Sequence, residues 1–252
     1  MWANPKVKKI AGVLFWVALW QFAAVKTGRE VLLASPYATL RALADLWGQP
    51  VFWHTIMFSF SHIMLGFVLA TAGGVVLAVL SARSETVRRL LAPMFSFIKS
   101  VPVASFIILL LLWVSGGSLS VCISFLMVLP VVYNNMLAGL VRVDRHLLEM
   151  AQVFRLSLGK KIRYIYIPQL MPYFTAACTT ALGLCWKSGI AAEVIGIAEG
   201  TIGNRLYETK LYMETAQLFA WTIVNVLISF AIEKGFLWLL EKINEKIRQG
   251  FL

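Results

Sequence analysis

The 252 residues are 60% hydrophobic and 14% charged, with a mean hydropathy of +0.78. A soluble domain carries about 25% charged residues to face water, so a water-soluble globule is excluded. The formal net charge of +11 would point to nucleic acid in a soluble protein, but here the charges sit in short stretches between apolar runs. Loops flanking a membrane account for that pattern, and no nucleic-acid partner is expected.

In hydrocarbon only helices and closed barrels satisfy their backbone, and the alternating strands of a barrel are absent from the sequence. The prediction is therefore all-α: a polytopic membrane helical bundle of about six transmembrane helices. The first apolar run, residues 10–25, follows Lys6, Lys8 and Lys9 in the manner of a signal peptide. Hydrophobic segments continue behind it, so an uncleaved first transmembrane helix is expected. Further runs cover residues 55–80, 93–114, 119–141, 169–190 and 216–240. Trp16, Trp20, Trp47, Trp53 and Trp113 lie near the ends of these runs, where interfacial aromatics belong.

With the N-terminus inside, the cytoplasmic connections hold Lys6, Lys8, Lys9, Arg83, Arg88, Arg89, Arg142, Arg145, Arg155, Lys160, Lys161, Arg163, Lys242, Lys246 and Arg248. The opposite side holds Lys26, Arg29, Arg41, Arg205 and Lys210. This asymmetry predicts that both termini face the cytoplasm. No linker or composition shift divides the chain, so residues 1–252 read as one transmembrane domain in contact with lipid. Cys122, Cys178 and Cys185 lie inside apolar stretches without a CxxC pair and read as small buried hydrophobes.

The connection at residues 144–168 differs from the others. Arg145, Arg155, Lys160, Lys161 and Arg163 accompany an apolar stripe, Leu147, Ala151 and Phe154, spaced as one helical face. Asp144 suits an N-cap, and Ser157 and Gly159 offer a break. Ile162, Ile165 and Tyr166 then form a second short stripe that ends at Pro168. Two short helices with apolar knobs in a basic surround predict a docking surface for another protein.

Here the residues resemble the permeases of binding-protein-dependent ABC importers, whose cytoplasmic motif reads E-A-A-x3-G-x9-I-x-L-P. Glu149-Met150-Ala151, position 155 and Ile165-Tyr166-Ile167-Pro168 fall at that spacing. Met150 replaces the middle Ala and Arg155 the Gly, and Gly159 is a candidate to take over the turn. Ser35-Pro36, the stretch 93–105 with Lys99-Ser100-Val101-Pro102, and the stretches 181–196 and 211–221 resemble the subgroup that moves nitrate, sulfonates, taurine and related solutes. The resemblance implies a type I importer permease fold and a loop that seats as a coupling helix on an ABC ATPase subunit. It also implies a second copy of the chain and an extracytoplasmic solute-binding protein as partners. Leu147, Glu149, Ala151, Phe154, Arg155, Ser157, Gly159 and Pro168 are the coupling candidates.

Lys187 and Glu193 are ionisable groups in or beside the fifth run, and such groups line a path or gate, snorkel, or hold helices together. Asn134, with Asn135 and His62, is either a path residue or a helix-to-helix hydrogen bonder. Pro102 and Pro130 can kink their helices, and Gly73-Gly74 permits close helix approach. Residues 199–214 predict a polar outer helix, whose Arg205, Glu208 and Lys210 are candidates for contact with the binding protein or for a solvated face.

No G-x-x-x-x-G-K-[ST] is present, since Gly159-Lys160 is followed by Lys161 without the upstream Gly. ATP hydrolysis would need a separate chain, and no cofactor is expected. Three scattered histidines suggest no metal site. Two other readings stay open: an energy-coupling-factor subunit, whose paired Ala-Arg-Ser motif occurs here once as Ala82-Arg83-Ser84, and an ATPase-independent channel or membrane enzyme.

Overall fold

The computed structural model describes residues 5–249, and within them every regular element is helical. The helices are α1 (Pro5–Thr27), α2 (Pro36–Trp47), α3 (Pro50–Arg83), α4 (Glu85–Ser100), α5 (Val103–Leu110), α6 (Gly117–Val141), α7 (Arg145–Val153), α8 (Leu158–Lys161), α9 (Ile167–Ile195), α10 (Ile202–Leu211) and α11 (Thr215–Gln249). A π-helical turn, Ile162–Tyr166, joins α8 to α9. The side chains of Lys6, Lys8, Lys9, Lys246 and Arg248, used above for orientation, lie outside the described residues.

Five of the six apolar runs are α1, α3, α6, α9 and α11. The third is not one helix: α4 and α5 meet at a bend of 100°. Pro102 supplies the break, because it has no N–H and disfavours helix at Val101 (φ −82°, ψ 131°). By length and composition α3, α6 and α11 can cross a bilayer, and the bent pair makes a fourth candidate. α9 has 29 residues but is less apolar, with Thr175, Thr179, Thr180 and Ser188 along it. A span wrapped by protein does not need lipid-soluble side chains, and Cys178, Ala181, Leu182, Cys185 and Trp186 of α9 are all buried.

α6 is the centre of the bundle, packed between α3 and α9. Of its apolar window 56% is buried, against 11% for α11, so α11 lies at the periphery. Helices in lipid gain no hydrophobic drive toward one another, and small residues that permit close packing take its place. A Cβ on Gly66 would lie 2.5 Å from the Val121 carbonyl oxygen, and one on Gly74 2.9 Å from Val132 Cβ. The predicted close approach at Gly73-Gly74 is therefore made by Gly74, with Gly66 two turns earlier. Polar ties add register: Tyr133 Oη donates to Ser81 Oγ at 3.0 Å, and Trp186 Nε1 to Asn225 Oδ1 at 2.7 Å.

α2 is too short to span and was not among the predicted runs. Ser35 caps it, accepting from Ala38 N at 3.1 Å, with Pro36 in the first turn. Tyr37, Leu40 and Trp47 are left uncovered by protein, as suits an amphipathic helix lying in an interface. Trp47 meets Trp53 edge-on at 4.7 Å where α2 turns into α3.

Candidate functional site

At the basic end of the bundle Asp144 caps α7 as expected, its Oδ1 accepting from His146 N at 2.8 Å. Its own N–H donates to Gln169 Oε1 at 2.9 Å, which ties the start of α7 to the start of α9. Ala151 is fully buried and packs with Val143 and Ile165, so the predicted stripe of Leu147, Ala151 and Phe154 divides. Ala151 seats α7 on its own protein. Phe154 is 70% exposed, and with Met150, Val153 and Leu158 it forms the outward apolar surface. Val153 and Leu158 were not singled out from the sequence, and Met150 only as a departure from the motif, although each lies three or four residues from another member of the patch.

The turn stays at the motif position. Leu156 N donates to Ala151 O at 2.9 Å and Arg155 N to Gln152 O at 3.0 Å, the bond pair of a Schellman cap. Arg155 accordingly takes φ +49°, while Gly159 lies within α8 and relocates nothing. Ser157 stands in the extended position before α8 without a side-chain cap bond. Pro168 does not end the second segment: the π-turn widens the helix just ahead of it, Ile167 N bonding Ile162 O, and the chain runs on into α9. Glu149 is exposed, with His146 Nδ1 3.9 Å from its carboxylate.

Inside the bundle the expected path residues separate. Glu193 is completely buried and so does not line a path on this chain's surface. Its Oε2 accepts from Ser59 Oγ at 2.8 Å and Gly203 N at 3.1 Å. Ser59 Oγ in turn accepts from Ile202 N at 2.8 Å. The carboxylate and hydroxyl thus close the first turn of α10, whose free N–H groups carry partial positive charge. Asn134 and Asn135 are half-buried and donate to the Pro130 and Val131 carbonyls of their own helix, not to a neighbour. His62 likewise bonds Phe58 O, at 2.8 Å. Lys187 alone of the group is exposed, on the uncovered face of α9.

At the other end, the predicted polar helix is α10, capped by Thr201 Oγ1 accepting from Asn204 N at 3.1 Å. Arg205 Nη1 donates to Glu208 Oε2 at 3.0 Å, and Asn204 Nδ2 to Glu208 Oε1 at 2.9 Å. Both Arg205 and Glu208 line a cleft of about 920 Å³ that also receives Glu30, Arg41, Asp45 and Glu214 from α2, α11 and their connections. Lys210 is exposed and not part of that lining.

Spanning helices around α6, one of them broken in mid-course, with a helical loop at one end and a charged cleft at the other, define a polytopic membrane permease. Residues 74–249 match the family described as binding-protein-dependent transport system inner membrane component, and the chain belongs to it. It is the permease subunit of an ABC importer, a multi-pass protein of the inner membrane. Similar proteins include the taurine transport system permease protein of Escherichia coli K12, 24% identical over 86% of this chain and 80% of its own length. The nitrate import permease protein of Synechococcus elongatus is 24% identical over 81% and 78%. The bicarbonate transport system permease protein of the same species is 24% identical over 81% and 77%. Among solved structures, an amino acid ABC transporter superposes with a TM-score of 0.61 at 18% identity, covering 81% of this chain and 97% of its own. An inward-facing methionine ABC transporter gives 0.56 at 15% identity, covering 77% and 93%. At such identities these structures establish the fold.

Proposed function

We propose that this chain pairs with a second copy of itself to enclose the translocation path of the importer. The whole chain acts as one membrane unit, both termini cytoplasmic, as the distribution of Lys and Arg supports. The loop at 144–168 seats on an ABC ATPase. The observation that carries this reading is the uncovered apolar patch of Met150, Val153, Phe154 and Leu158, on a loop that also carries Arg155, Lys160 and Arg163 and whose first helix packs through Ala151 against Val143 and Ile165. Aromatic and aliphatic anchors inside a charged rim are how a docking surface gains both affinity and orientation. The cleft at α10 receives a solute-binding protein, and the names of the relatives support a small solute such as taurine, nitrate or bicarbonate.

The test is reconstitution. The chain is co-expressed with an ABC ATPase and a binding protein from its own genomic neighbourhood, and ATP hydrolysis is measured in nanodiscs. Binding protein should stimulate hydrolysis, and Glu149→Arg should abolish the stimulation while membrane insertion is unchanged. Normal stimulation in that variant would remove the docking assignment, and no stimulation with any ATPase and binding protein would remove the coupling and partner assignments.

A further inference from the structure

A polar side chain near each end of α9 holds a different part of the molecule to it. At one end α10 lies directly on α9. A Cβ on Gly203 would run into Glu193 Cβ and lie 2.6 Å from Val194 N, so only a glycine lets the two helices meet there. Glu193 Oε2 accepts the Gly203 N–H and the Ser59 hydroxyl, and Ser59 accepts the Ile202 N–H. Ser59, Glu193, Ile202 and Gly203 are all buried, so α10 cannot slide on α9 without stranding donors away from water. Further along α10, Arg205, Glu208 and Thr209 line the charged cleft.

At the other end the tie is Gln169, which the sequence did not single out. Its Oε1 accepts the N–H of Asp144, the residue that caps α7, at 2.9 Å. Since the facing group is a backbone donor, the facing amide atom is the oxygen, and Nε2 is left buried without an acceptor on this chain. An unpaired buried donor is costly, so the amide keeps its bond to Asp144 at the expense of its other half. Ala151, Val143 and Ile165 hold α7 close by apolar contact, which has no direction. The hydrogen bond to the cap adds the direction.

Between the two ties α9 runs unbroken from Ile167 to Ile195, 29 residues or about 44 Å at 1.5 Å per residue. Its Cys178, Ala181, Leu182, Cys185 and Trp186 are packed in the core. A close-packed helix transmits a displacement instead of absorbing it.

We propose that Gln169 and Glu193 are positioning residues of the importer: they fix α7 and α10 to opposite ends of α9, which carries a displacement at the cleft to the loop at 144–168 as one rigid body. This rests on the docking readings given above for the cleft and the loop, and it names the side chains that join the two surfaces. Both act through the helices they hold and not through contact with a solute.

Two measurements test the ties. In nanodiscs holding the full transporter, Gln169→Leu should lower the ratio of binding-protein-stimulated to basal ATP hydrolysis by about fivefold or more. Gln169→Glu keeps an acceptor for the Asp144 N–H and should recover most of that ratio. A parental ratio in Gln169→Leu, or an equal loss in Gln169→Glu, would overturn the proposal, while stimulation of the parent in the same membranes upholds the importer reading. The second measurement needs no ATPase. The chain alone in nanodiscs, carrying Cys122→Ser and diluted with unlabelled chain, is spin-labelled at two exposed positions. One pair is Val153→Cys with Lys187→Cys, the other Lys187→Cys with Lys210→Cys, and electron double resonance reads their distance distributions. Gln169→Leu should widen the first distribution about twofold and leave the second as it is, and Glu193→Ala should do the reverse. Ser59→Ala replaces Glu193→Ala if that variant fails to insert. Widening of both pairs by either variant, or of neither, would refute the ties whatever the ATPase does.

Discussion

Glu193 on α9 accepts the hydroxyl hydrogen of Ser59 on α3 at 2.8 Å, across 134 residues of sequence. The same carboxylate oxygen takes the N–H of Gly203, and Ser59 takes that of Ile202, so three helices meet at one buried knot. Replacing Glu193 with Ala leaves the Gly203 N–H and the Ser59 hydroxyl without an acceptor in a buried site. Each orphaned group costs about 1–3 kcal/mol, and a loss of about 3 kcal/mol is expected for Glu193→Ala. Gln keeps an acceptor oxygen and should lose about 1 kcal/mol. Thermal size-exclusion in detergent reads both variants. A Glu193→Ala protein as stable as its parent would show that the knot does not hold α10.

Arg155 tests the left-handed cap. An L-residue there gives up about 1 kcal/mol relative to glycine, which has no Cβ to clash. Arg155→Gly should therefore stabilise the chain by about 1 kcal/mol, and Arg155→Val should destabilise it by about the same. Urea titration of the loop, followed by a fluorophore at an exposed position of α7, would read the difference. No gain from glycine would mean that side-chain contacts of Arg155 outweigh its backbone strain.

These two positions show where a linear reading stops. The spans α3, α6 and α11 were legible because long apolar runs leave little choice in a bilayer. Asp144 was legible because a cap acts within three residues. Glu193 was not: its partner Ser59 looks like any serine in an apolar helix, and only packing brings the two together. At Arg155 the residue types favoured a turn at Gly159, but Ala151 buried under Leu156 and the two Schellman bonds keep it at the original place. The division of the third run escaped for another reason, since hydropathy averages over the single extended step at Val101 and Pro102. Within the loop at 144–168, periodicity grouped Ala151 with Phe154, yet a short helix on a surface has both an inner and an outer apolar face.

Neighbouring glycines in α3 give a matched pair. A Cβ on Gly74 would lie 2.9 Å from Val132 Cβ, whereas one on Gly73 would meet Leu129 Cδ1 at 3.4 Å, ordinary contact with a movable methyl. Gly74→Ala must push α3 from α6 and should cost about 1–3 kcal/mol. Gly73→Ala should be neutral or slightly stabilising, because Ala is the better helix former by about 1 kcal/mol. Steric trapping or thermal stability of the two variants side by side decides it, and equal behaviour would mean that the α3–α6 contact is looser than drawn.

Ala151 and Phe154 should divide stability from docking. Ala151 has no exposed surface, so Ala151→Leu overpacks the contact with Val143 and Ile165 and should cost about 1–3 kcal/mol. Phe154 is 70% exposed and touches little of its own chain, so Phe154→Asp should leave thermal stability within about 0.5 kcal/mol. On the ATPase the order reverses: losing a central aromatic anchor and placing a carboxylate in its pocket should weaken association by about tenfold or more. Fluorescence titration of labelled ATPase against nanodisc-embedded variants gives the affinities, with melting of the same samples alongside. If Phe154→Asp melted early and bound normally, Phe154 would belong to the packing of this protein, and the docking surface would have to be sought at Met150 and Leu158.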